Sequence, residues 1–137
     1  MGLKDNKLIS LQQIEGAVSP HQRQIDHALK ARKEALEHVA DVSKLAKFIG
    51  GRVESLGIGE DWAISKEIFP GVLVFYIFNH ADEEFPSNLK VLFSGHRIRM
   101  MRGEDLAGFV ILYLVHMLRY VRDSNPDKKL PEVCYRV

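Results

Sequence analysis

Apolar positions recur along the chain at two different periods, and the changes of period divide it into elements. Leu8, Leu11, Ile14 and Val18 stand at helical spacing and predict a short first helix. Ser19-Pro20 with Gln22 is a strong helix start. The serine can cap, the proline fits the first helical position, and the glutamine completes a capping box. The stripe that follows, Ile25, Ala28, Ala35, Val39, Val42, Ala46 and Ile49, advances in steps of three and four, with Arg32 interrupting the apolar line. It predicts one long helix stopping at Gly50-Gly51, where a left-handed residue belongs. Thirty residues of helix measure about 45 Å, longer than a small domain, so part of it is expected to overhang.

From Arg52 the period falls towards two. "RVESLGI" (52–58) and "DWAISKEIF" (61–69) alternate loosely. "GVLVFYIFNH" (71–80) is continuously apolar from Val72 to Phe78, the pattern of a strand covered on both faces. "LKVLF" (89–93) and "HRIRMM" (96–101), separated by Ser94-Gly95, predict a hairpin. The last helix follows, in "DLAGFVILYLVHMLRYVR" (105–122), where only Gly108 and His116 interrupt the apolar run from Leu106 to Leu118. Asp105 and Arg119 bracket that run, which is too short to span a bilayer, so no membrane association is expected. Residues 123–137, with Pro126 and Pro131, read as an extended tail, and residues 1–18 as a short helical arm.

The expected fold class is therefore α+β, a single domain over 1–137. An antiparallel sheet of about four strands carries a long N-terminal-half helix and a buried C-terminal helix, in the order α-α-β-β-β-β-α. One long helix supplies one covering layer, whereas the third strand and the last helix both want cover all round. A second subunit resolves this, because monomers rarely expose apolar patches beyond a few hundred Å². The expected interface combines the alanine face of the long helix, Ala28, Ala35 and Val39, with Val110, Leu114 and His116 of the last. A non-catalytic, homo-oligomeric interaction module is the leading functional expectation, and a different protein partner is an alternative occupant of the same surface.

Charge adds little. The balance of 19 basic and 18 acidic residues leaves +1, so attraction to nucleic acid would need a local patch. The hairpin offers one: if Ser94-Gly95 is the turn, Lys90 faces Arg99 and Leu92 faces Arg97, with Arg102 close behind. Like charges opposed across strands are destabilising unless an anion joins them, which makes these four a nucleic-acid candidate, though one without stacking aromatics. A second alternative is a ligand-binding protein or small enzyme with a helix–sheet pocket near His80. There "NHADEE" gathers Asn79, His80, Asp82, Glu83 and Glu84 at the end of the strongest strand. The spacing of His and carboxylates matches no metal-ligand motif, so no catalytic residue, metal or cofactor is assigned. The single Cys134 excludes an intrachain disulfide and fits a cytoplasmic setting.

Overall fold

The computed structural model describes residues 7–137, so the first six positions of the expected N-terminal arm lie outside the described residues. The helices are α1 (Leu11–Glu15), α2 (Pro20–Arg32), α3 (Val42–Ile49) and α4 (Gly103–Ser124). Between α3 and α4 run the strands β1 (Arg52–Glu54), β2 (Trp62–Phe69), β3 (Val72–Asn79) and β4 (Asn88–Ser94). They form one antiparallel meander in the order β1-β2-β3-β4. The fold is α+β, as the alternation of periods predicts.

The long helix is in fact two. The α-helix ends at Arg32, the residue that interrupts the apolar stripe, and Lys33–His38 tighten into a 3₁₀ segment. Val39 is extended, and Asp41 caps a new helix by accepting a hydrogen bond from the Lys44 amide at 3.1 Å. Arg32 closes the first helix by donating from Nη1 to the Ala28 carbonyl at 3.2 Å. The break removes the expected overhang, because α2 now packs on α4 and β4 while α3 packs on α4, β1 and β2. Ser19 Oγ accepts from the Gln22 amide at 3.0 Å and Gly50 takes the left-handed conformation at the end of α3, but the expected capping box stays half-made, because the Gln22 side chain turns instead to the Gln12 amide and to Asp26. A full capping box, not anticipated, closes the start of α1 between Ser10 and Gln13.

The hairpin after β4 does not form. Both edges of β4 near Phe93 are already taken, by β3 on one side and by Ile9 on the other through paired amide–carbonyl bonds of 2.8 and 2.7 Å. Gly95, at φ +116, turns against the carbonyl of Gly71 so closely that a Cβ would clash with it. Residues 96–101 then follow a turn and the 3₁₀ segment Ile98–Met100, which sinks Ile98 into the core. The tail differs from expectation too. Glu132–Tyr135 form a 3₁₀ turn on α4, burying Leu130 and Cys134.

One face of the sheet carries Trp62, Ile64, Ile68, Val72, Val74, Tyr76, Phe78, Leu89, Val91 and Phe93 into the main core under α4. The other face buries Ala63, Phe75 and Ile77 against Leu8, Leu56, Leu73 and Leu92, so β3 is covered on both sides by its own chain. Tyr76 fixes the helix to the sheet. Its hydroxyl donates to the Val110 carbonyl at 2.7 Å in the fully buried interior.

Burial, with a smaller contribution from neighbouring Tyr113, holds the Tyr76 phenol pKa well above its ordinary 10.0. The folded chain therefore keeps this proton where the unfolded chain releases it. The stability that the phenol contributes is complete below pH 10 and declines as the pH rises beyond it. Tyr76→Phe is expected to cost about 1 kcal/mol at neutral pH and to flatten the alkaline decline, as read by urea titrations at pH 7 and about pH 11.

Candidate functional site

Three regions hold the residues that the sequence singles out. The basic residues do not make a strip. Lys90 stands on the outer face of the sheet beside Ile77, its partner on β3. Arg97 lies over the β2–β3 turn at Gly71. Arg99 and Arg102 border a shallow hollow that also contains Glu15 and Glu104. The opposition of Lys90 to Arg99 and of Leu92 to Arg97 depended on the absent hairpin, and acids share the ground around Arg102. The Glu15 carboxylate accepts from Ser19 Oγ at 2.5 Å and meets His21 Nδ1 at 2.8 Å. These bonds, the serine's first, hold its pKa below the usual carboxylate range. It also lies against Gly103, the first residue of α4, where a β-carbon would clash with it, so a negative charge sits at the positive end of the helix.

The second region is the end of the sheet where β3 stops. Glu37, from the 3₁₀ segment after α2, reaches across to meet His80 Nδ1 at 2.5 Å and to accept from the Ala81 amide at 2.7 Å. Asp61 accepts from the His80 amide at 2.6 Å. The carboxylate at Nδ1 fixes the orientation of the ring. The ring also stands edge-on to Phe78, at 5.0 Å between centroids. Beside it opens a hollow of about 570 Å³ lined by Lys33, Asp61, Asn79, His80, Asp82 and Ser87, among others. Of the residues the sequence gathers here, Asn79, His80 and Asp82 line this hollow, and Glu83 and Glu84 do not. Glu37, the main orienting group of His80, lies 43 residues away in the chain, on another element, and no local pattern links the two. Among the described residues no group of three or more His, Cys, Asp and Glu is placed to hold a metal ion.

The third region is α4. Of the six residues expected at an interface, Ala28, Ala35, Val39, Val110 and Leu114 are buried by the chain's own elements, and only His116 keeps partial exposure. The open face of the helix lies opposite them. Leu112 is 47% exposed, Gly108 is exposed, and Ile111, Val115 and His116 are partly so. Phe48 of α3, 48% exposed, touches Tyr120 and extends the apolar surface sideways. Lys66 lies over the Tyr113 ring at 5.1 Å and shields the neighbouring flank. Among the described residues no helix is long and apolar enough to cross a membrane.

A family match spans residues 3–116, from before α1 to the middle of α4. The chain belongs to the family described as a domain of unknown function, DUF3786. No curated protein and no solved structure matches it. Within the matched span lie His80, Glu37 and the open stripe of α4 from Gly108 to Val115, whereas the docked tail lies beyond it.

The Glu37 clasp joins the 3₁₀ segment to the end of β3, with both side chains partly exposed. Glu37→Ala is expected to cost roughly 0.5–1 kcal/mol, discounted for solvent screening. Hydrogen exchange at the Ala81 amide should accelerate more than exchange in the centre of β3, and unchanged exchange there would show that the clasp carries nothing.

Proposed function

We propose that the protein is a non-catalytic, self-associating module in which the outer face of α4 meets a second copy of the chain. The observation that carries this reading is the exposure of Leu112, flanked by Ile111 and Val115, in the middle of a 22-residue helix whose other sides are covered. Burying Leu112 and its neighbours in a contact stabilises an assembly by roughly 25 cal/mol per Å² of apolar surface, before association costs. The surface differs from the one the sequence suggests, since Val110 and Leu114 are core of the monomer. The buried thiol of Cys134, which burial holds above its ordinary pKa of 9.0, fits a reducing, cytoplasmic setting.

Absolute mass in solution tests it. Wild type is expected to exceed the 15.6 kDa of one chain. Leu112→Glu should give a soluble monomer with unchanged secondary structure, whereas Val110→Glu, which forces a charge into the core, should fail to fold. A wild-type monomer at every concentration would sink the proposal.

A second reading rests on the hollow beside His80, whose ring is oriented by Glu37. It makes the chain a binding protein for a small polar ligand, held between the ends of β2–β4 and the segment after α2. Titration with a pool of polar metabolites should then shift NMR signals around Asp61, His80 and Asn88 in wild type but not in His80→Ala. An undisturbed spectrum in wild type removes this reading.

A further inference from the structure

The open stripe of α4 is self-complementary. Its residues run Asp105, Gly108, Leu112, Val115, Arg119, in steps of three and four, so they form one seam along the helix. The middle is apolar and the two ends carry opposite charges about 21 Å apart along the axis. Asp105 and Arg119 are both exposed, and neither has an ion-pair partner among the described residues.

Gly108 supplies a second, independent observation. A Cβ built there meets nothing within 4 Å, so among the described residues no neighbour requires a glycine at this position. Glycine inside a helix weakens it relative to alanine, and no close contact among the described residues compensates for that loss. Removing a side chain from the exposed face does, however, let another backbone or a large side chain come close.

We infer that α4 pairs with α4 of a second copy in an antiparallel arrangement, about a twofold axis that passes beside Leu112. This rests on the self-association reading above and specifies its geometry. With Leu112 at the axis, equal steps in opposite directions bring Asp105 opposite Arg119 of the partner subunit, and the symmetry repeats the pair at the other end. The same register sets Gly108 opposite His116 of the partner subunit, so the notch receives an imidazole. A parallel pair would instead stack Asp105 on its own copy and Arg119 on its own copy, placing like charges together at both ends. The charge pattern therefore selects the antiparallel pair, and the glycine allows the axes to approach the lower end of the usual 8–10 Å separation.

Charge reversal tests the register separately from self-association. Sedimentation equilibrium at low salt would compare wild type, Asp105→Arg, Arg119→Asp and the double variant, with thermal melts confirming that each is folded. Each single reversal replaces two attractive contacts by two repulsive ones and should raise the dissociation constant roughly tenfold. The double variant swaps the charges and should return to within about threefold of wild type. Singles without effect, or a double no better than the singles, would overturn the antiparallel register even if Leu112→Glu still yields monomers. A wild-type monomer would overturn both the register and the reading beneath it. Cysteine crosslinking supplies a second readout: under mild oxidation Leu112→Cys should link to its own copy, while Gly108→Cys, displaced from the axis, should not. Equal crosslinking at both positions would indicate a parallel pair and overturn the proposal.

Discussion

The covering of α4 governs the rest of the structure. This helix is apolar over most of its circumference, and a four-stranded sheet can cover only one side of it. The chain meets the remaining demand by breaking its N-terminal helical stretch. Once Lys33–His38 tighten and Val39 extends, α2 can lie along the β4 side of α4 and α3 along the β1–β2 side. A continuous helix of the same residues would have flanked α4 on one side only. The Tyr76–Val110 bond then fixes the depth and position of the central helix. A phenol buried in this core needs an acceptor, and a main-chain carbonyl of the helix above it is the acceptor within reach.

Much of the fold was legible because its signals are local. Ser19-Pro20, Gly50 and the switch from period 3.6 to period 2 at Arg52 each follow from backbone sterics or hydrogen bonding within a few residues. What the sequence did not disclose depends on neighbours distant in the chain. The break after Arg32 leaves the three-and-four spacing nearly intact, so periodicity alone cannot reveal it, although the arginine in the seam and Asp41 ahead of Val42 mark its two ends. Ser94-Gly95 has the composition of a hairpin turn. The second strand was ruled out by Ile9, eighty-odd residues earlier, which occupies the edge that strand would have needed. The tail docks because Leu130 and Cys134 find a cleft beside α4, which no local pattern announces.

The candidate sites follow the same division. His80 stood out in the sequence as a histidine at the end of an apolar strand, but its orienting carboxylate comes from another layer of the fold. For the helix surface, periodicity identified apolar faces correctly and assigned them to the wrong neighbour. Ala28, Ala35 and Val39 do pack against other elements, and those elements belong to the same chain. Val110 and Leu114 were assigned to an interface because they are central in the apolar run, yet the centre of the buried arc is where the sheet lies. The residues left exposed or half-exposed are the ones opposite, Gly108, Ile111, Leu112 and Val115.

Among the described residues the stripe from Gly108 to Val115 remains open. After α4 the polypeptide continues past Asn125, whose side chain bonds the His38 carbonyl, and turns back along the helix. It seats Leu130 and Cys134 in the core, and Arg122 donates to the Val137 carbonyl at 2.6 Å. Residues 130–135 pack on the C-terminal end of the helix rather than along its open stripe. Folding alone would favour covering Leu112 and filling the space at Gly108 with a methyl group. Among the described residues, the packing of the monomer accounts neither for the exposed leucine, nor for a glycine without a close neighbour, nor for two opposite charges without ion-pair partners in one seam, and it is on these three that the proposed contact rests.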